Sequence, residues 1–193
     1  MRVPERLRRR FTRPPEPVRA VVAASADPDE RVLAWGELAR GQGWLAATSQ
    51  GLRVVPADLP LPEAGDVDVL RWHEVGAARW AATNDGGGTF TVTALTEVEP
   101  GVQGREPAER YALTDAGDLP AVVRRRVDET VVASRRSPLP GGGGVLLVAR
   151  RVPGQAAREW TVVFDDDTDR GDPEAREAAR RRLAEAVAAD RPD

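Results

Sequence analysis

From residue 31 onward the chain alternates short apolar runs with turn-forming residues. "RVLAWGELA" (31–39), "GWLAATS" (43–49) and "LRVVP" (52–56) are separated by "RGQ" and by Gln50-Gly51. Such breaks between apolar runs signal tight reversals and predict a three-stranded antiparallel meander, with ordered structure beginning near Glu30. "ADLPLPEAGDVD" (57–68) mixes prolines and acids without a period and predicts a loop. "RWHEVGAARWAATN" (71–84) fits two periods. As a strand it puts Trp72 and Glu74 on one face and His73 and Val75 on the other; as a helix it lines up Trp72, Val75, Arg79 and Trp80. After "NDGGG" (84–88), Phe90, Val92 and Ala94 alternate with threonines, as in the second arm of a hairpin.

Further along, "ERYALTD" (109–115) predicts another strand. In "LPAVVRRRV", Leu119, Val122, Val123 and Val127 recur at helical spacing, with Pro120 in the first turn and Asp118 at the cap position, so a short amphipathic helix is expected. "TVVASR" (130–135), "VLLVARRV" (145–152) and "REWTVVF" (158–164) predict three more strands. The chain then enters a helix with Asp172 as cap, Pro173 in the first position and an apolar stripe of Ala175, Ala179, Leu183 and Val187. The first 26 residues are basic and punctuated by proline, and predict a mobile arm; residues 27–190 then form a single α+β domain, with a sub-division near residue 118.

Composition narrows the chemistry. The 193 residues include no cysteine, which removes thiolate catalysis, disulfides and cysteine-ligated metal sites. Lysine is also absent, and apart from His73 every basic side chain is arginine, a bias that codon supply in a high-GC genome produces. The net charge of −3 hides an uneven distribution: +5 over residues 1–19, −9 over 20–118, +5 over 119–160 and −4 over 161–193. That pattern argues against affinity for nucleic acid by the whole chain, while leaving two positive regions for an anionic partner. No run approaches the roughly 20 apolar residues that cross a bilayer, and the expected location is cytoplasmic.

Between Glu30 and about Leu95 the order of signals resembles bacterial pleckstrin-homology-like and GRAM-type domains. The residues that carry the likeness are "ERVLAWG", then "GWLAATSQGLRVV" with Thr48 and the Gln50-Gly51 turn, "LRWHEVGAARW", and "TFTVTAL". Short actinobacterial proteins share the pattern. The resemblance covers about a third of the chain and implies a strongly bent antiparallel sheet or PH-like barrel, with a short helix after the sixth strand and a C-terminal helix packed on the sheet. It favours the strand reading of residues 69–75. Residues 130–164 exceed what one such domain needs and either complete the barrel or form a second sheet.

His73 has no second histidine or cysteine with which to share a metal, and on a strand Glu74 points away from it, so its expected role is structural. "PLPGGGGVLLVARR" lacks the lysine of a phosphate-binding loop and enters a strand, as a hairpin loop does. "DDDTDRGDPEARE" fits neither register of a calcium loop. No catalytic residue, metal or cofactor is therefore expected. The function expected is that of a non-enzymatic, soluble protein-interaction or scaffold module. Its candidate contacts are Trp72 and Trp80 and an arginine face drawn from Arg124, Arg125, Arg126, Arg135, Arg136, Arg150 and Arg151. The alternative is a peripheral module for anionic membranes, using Arg6, Leu7, Arg8, Arg9, Arg10 and Phe11 of the arm. A small-molecule enzyme around His73 is a third, weaker reading.

Overall fold

The computed structural model describes residues 13–84, 86–152, 155 and 157–190. It is an α+β protein whose chain divides into two compact units, Met1–Thr93 with Ala108–Arg126, and Ala94–Pro107 with Val127–Asp193.

The first unit opens with helix α1 (Glu16–Ala23) and continues through strands β1 (Val32–Leu38), β2 (Gly43–Thr48), β3 (Gly51–Pro56) and β4 (Leu70–Arg71). These four pair in sequence order as an antiparallel meander, of which the turn signals predict the first three strands. Strands β5 (Val75–Ala82) and β6 (Gly88–Glu99) follow, then β7 (Val102–Arg105), which belongs to the second unit, and β8 (Glu109–Asp115). β8 returns to pair with both β1 and β6, giving the order β4-β3-β2-β1-β8-β6, with β5 also paired to β6. Among the described residues no ladder joins β4 to β5, so the sheet is not a closed barrel.

Alternation sorts this sheet into two faces. Trp35, Ala46 and Arg53 are in register on one face, with Trp44 opposite Val55 beside them, and α1 lies there with Val18 and Val21 buried. Gly36 is opposite Leu45 on the other face, where helix α2 (Leu119–Thr130) begins. A Cβ at Gly36 would lie 3.3 Å from a methyl of Leu119 and 3.1 Å from the carbonyl oxygen of Asp115. The glycine allows that helix to approach the strand, and Leu119 and Val123 are fully buried.

Two sequence expectations change in this unit. Residues 16–23, assigned to the 1–26 arm, form α1: Pro17 sits in the first turn, where its missing N–H costs nothing, and Val18 and Val21 lie one turn apart on one face. Order therefore begins well before Glu30. The strand expected over 69–75 is broken, because Trp72–Glu74 makes a single 3-10 turn between β4 and β5. Glu74 Oε2 accepts from the Arg71 N–H at 2.9 Å, and the Trp72 indole N–H reaches back 3.0 Å to the Thr48 carbonyl.

The chain passes into the second unit within β6, whose far end pairs with β7 through the Pro100-Gly101 turn. Gly101 has φ +74, a left-handed conformation that glycine adopts freely. Strands β9 (Val131–Pro138), β10 (Gly144–Arg150) and β11 (Glu159–Phe164) form an antiparallel meander, and β11 joins β7 in a parallel pair, Val162 opposite Val102. In the strand order β7 is followed by β11, β10 and β9, so residues 131–164 extend the mixed eleven-stranded sheet past β7 and, among the described residues, do not close a barrel. The units change over within β6, between β7 and β8, and within α2.

Helix α3 (Pro173–Ala189) packs on β10 and β11 and starts as expected, with Asp172 Oδ1 accepting from the Glu174 N–H at 3.0 Å. Its buried residues are Ala175, Ala178, Ala179 and Ala186, with Leu183 partly buried, whereas Val187 is exposed. A stripe built from steps of four drifts: from 175 to 187 is twelve residues, about 120° of rotation, while 175 to 186 returns to within about 20°.

Candidate functional site

In the first unit the most concentrated chemistry lies where α1, the β2–β3 turn and the segment before β4 meet. A cavity of about 460 Å³ is lined there by Val21, Asp27, Glu30, Gln50, Arg53 and Arg71, among others. At its base Arg53 binds Glu30 bidentately, Nε to Oε1 at 3.0 Å and Nη2 to Oε2 at 2.9 Å. Arg53 also donates through Nη1 to the Val67 carbonyl. The Glu30 side chain is fully buried and that of Arg53 is 8% exposed. Burial pushes the Glu30 carboxyl up, but hydrogen bonds from Arg53, Ser25 and Thr48 and the Arg53 charge outweigh it, leaving the group below its ordinary range. Gln50 bridges outward, donating to Asp27 and accepting from Arg71 at 3.5 Å. The polar groups at the base are engaged with one another, so this cavity is a structural junction that ties the start of β1 to β3.

Sequence reasoning missed Glu30 and Arg53. Parity in "LRVVP" does not reveal it, because Leu52 and Val54 offer an apolar face of the opposite parity; only the structure shows that Arg53 shares the buried face of Val55.

The predicted contacts fare differently. Trp72 is 4% exposed and anchors the β2–β3 turn through its N–H, so it offers no contact surface. Trp80 is half-buried on β5, with its ring centroid 6.2 Å from that of Phe90. His73 is half-buried in the 3-10 turn, and its neighbour Glu74 is occupied in holding the Arg71 N–H. Among the described residues no group of three His, Asp or Glu side chains is arranged to hold a metal ion, and no helix is long and apolar enough to cross a membrane. Arg6, Leu7, Arg8, Arg9, Arg10 and Phe11 lie outside the described residues.

The arginines expected on one face from residues 124–151 are divided between the two units. Arg124, Arg125 and Arg126 belong to the first unit and Arg135, Arg136, Arg150 and Arg151 to the second. Within the second unit, register separates them. Arg135 is opposite Leu147, whose face carries α3, while Arg136 is opposite Leu146 on the reverse face, with Arg150. Arg150 is buried, and its Nη1 donates to the Thr130 hydroxyl at 2.9 Å, at the carbonyl end of α2; burial lowers its pKa. Arg136 is held by Asp165 at 2.9 Å, which raises its pKa. Arg135 and Arg151 are exposed.

What the second unit does present is an edge. Among the described residues β9 ends the strand order and pairs only with β10, so about half of its backbone N–H and C=O groups point away from the sheet. Val131 and Val132 are 36% and 39% exposed on it, and Ser134, Arg135 and Arg136 are exposed as well. The loop after it, which includes Gly141, Gly142 and Gly143 at positive φ, is the hairpin connection the sequence predicts. Thr168 fastens it, its hydroxyl accepting from the Gly144 N–H at 2.9 Å and donating to the Gly144 carbonyl at 3.0 Å.

Comparison with protein-family models, curated proteins and solved structures finds no match for this chain.

Proposed function

We propose that this chain is a non-enzymatic, cytoplasmic protein-interaction module, built from a pleckstrin-homology-like first unit and a second unit that carries the docking element. The succession of antiparallel strands β1–β4, the return of β8 beside β1 and the helix that follows β8 support the first part of this reading. The observation that carries the second part is the β9 edge. It is eight residues long and, among the described residues, paired on one side only, and it bears two adjacent exposed valines where its register against β10 shifts. A strand edge of this length is a template for another chain. The polar groups of the first unit's cavity, by contrast, are engaged with one another.

The test is recovery of partners by the immobilised full chain, by a chain starting at Arg13, and by Val132→Lys, with soluble and membrane fractions kept apart. A stoichiometric soluble partner retained without residues 1–12 and lost with Val132→Lys is the expected result. Recovery confined to the membrane fraction and dependent on residues 1–12 would overturn the reading in favour of a peripheral membrane module.

A further inference from the structure

We infer that helix α3 is a hinged strap on the second unit: it swings away about the turn at 169–172 while β10 and β11 stay paired, and Asp190 is the latch that holds it shut. Shut, it covers the apolar face of these strands; open, it exposes that face. The strap and the β9 edge are separate features of the same unit.

The two sides of the contact are unequal. The strands contribute large side chains, among them Val145, Leu147, Val162 and Phe164, whereas α3 meets them with the methyl groups of Ala175, Ala178, Ala179 and Ala186. Each alanine buries a single methyl, so the apolar hold is small for a helix of 17 residues. Leu183 is the largest apolar side chain that α3 adds, and it is only partly buried. It lies against the Pro100-Gly101 turn, where a Cβ on Gly101 would come within 2.6 Å of its Cδ2 atom.

The two ends differ as well. Before the helix the chain is tied to the sheet. The Asp165 N–H donates to the Gly144 carbonyl at 2.9 Å, Asp165 Oδ2 accepts from Arg136 Nε at 2.9 Å, and the Thr168 hydroxyl bonds both the N–H and the carbonyl of Gly144. Among the described residues, the hydrogen bonds of 169–172 then stay within the turn and the helix start: the Gly171 N–H donates to Asp169 Oδ1 at 2.8 Å and the Asp172 N–H to the Asp169 carbonyl at 3.3 Å. A firm anchor followed by a turn bonded to itself makes a hinge.

At the far end the polar hold gathers on one carboxylate. Asp190 Oδ2 accepts from the Trp160 indole N–H at 2.8 Å and from Arg158 Nε at 2.6 Å, and its Oδ1 meets Arg158 Nη2 at 2.5 Å. Both donors lie at or beside the start of β11, so Asp190 fastens the last turn of α3 to that strand. Its side chain is 20% exposed, and bonds to a partly shielded carboxylate are the strong kind. Midway along the helix Glu99 meets Arg176 at 3.3 Å and Arg180 at 3.5 Å, but these arginine side chains are 39% and 50% exposed, and such pairs hold little.

The test is hydrogen exchange of the full chain, read by mass spectrometry on peptides from α3, β10 and β11, in the natural chain and in Asp190→Asn. In the natural chain the α3 peptides should exchange together, at least about tenfold faster than those of β10 and β11. Asp190→Asn keeps the shape of the side chain and removes its charge; it should speed α3 by about a further tenfold and leave β10 and β11 unchanged. A second readout uses the absence of cysteine: Ala179→Cys sets a single thiol at a fully buried position under the strap, and adding Asp190→Asn should speed its reaction with a water-soluble thiol reagent by a similar factor. Exchange of α3 at the rate of β10 and β11, or joint acceleration of all three in Asp190→Asn, overturns the strap, since helix and strands then open as one. Exchange of α3 and thiol reactivity that do not respond to Asp190→Asn overturn Asp190 as the latch.

Discussion

Replacing Arg53 by methionine removes the bidentate partner of a carboxylate that has no exposed side-chain surface. Methionine fills much of the same space, so the loss is chiefly electrostatic: Glu30 keeps its hydrogen bonds from Ser25 and Thr48 but loses two from the guanidinium and its counter-charge. Breaking a buried ion pair from one side typically costs about 3–5 kcal/mol, a large part of the roughly 5–15 kcal/mol that holds a domain folded. With a urea dependence of about 2 kcal/mol/M, the midpoint of the first unit's transition should fall by about 2 M. Four of the five tryptophans, Trp35, Trp44, Trp72 and Trp80, lie in that unit, so intrinsic fluorescence reports it. Glu30→Gln should cost less than Arg53→Met, and the double variant less than the sum, with a coupling of at least about 2 kcal/mol. The pH dependence follows from the depressed carboxyl of Glu30. Its contribution is present above the ordinary carboxylate range and is lost as the pH falls through the lower value of the folded state. The gap between the natural chain and Glu30→Gln should therefore close in acid. Additive single losses, each below about 1 kcal/mol, would refute a buried ion pair as the tie between these strands.

Two further outcomes test other parts of the fold. Tyr111 is the only tyrosine, and burial together with the hydrogen bond and charge of Glu109 pushes its phenol well above the ordinary value; ultraviolet titration should find it still protonated where free tyrosine ionises, and Glu109→Gln should bring the transition back toward normal. Gly36→Val places a side chain against Leu119, Leu113 and the Asp115 carbonyl; thermal melting should register a loss of about 1–3 kcal/mol from forced separation of α2 and the sheet, and an unchanged melt would mean that helix is not held as closely as described.

Legibility followed the range of the interaction. The turns around Gln50-Gly51 and the glycine run at 141–143 act over a few residues, and they appear where the sequence puts them. α1 was hidden because its prolines read as a breaker, although a proline in the first helical turn breaks nothing. Trp72 was read as a contact because size alone says nothing about direction; its indole is turned inward by a hydrogen bond to Thr48, 24 residues away. Grouping Arg135 with Arg136 met a simpler obstacle. Adjacent strand residues point to opposite faces, and Arg135 and Arg136 cannot share one.

What the sequence by itself determined is local: the α+β class, most strand positions, the reversals between them, and the capped start of α3 at Asp172 and Pro173. These follow from periodicity and from turn and cap chemistry, which a few neighbouring residues settle. Tertiary structure decided the rest. It set β8 beside β1, gave β7 to a sheet with β9–β11, joined Glu30 to Arg53 across 23 residues, and left β9 at an edge. The reason is physical: a strand's own pattern states which face is buried, but its hydrogen-bonding edges look the same in every strand, so which neighbour occupies them is chosen only when distant segments pack.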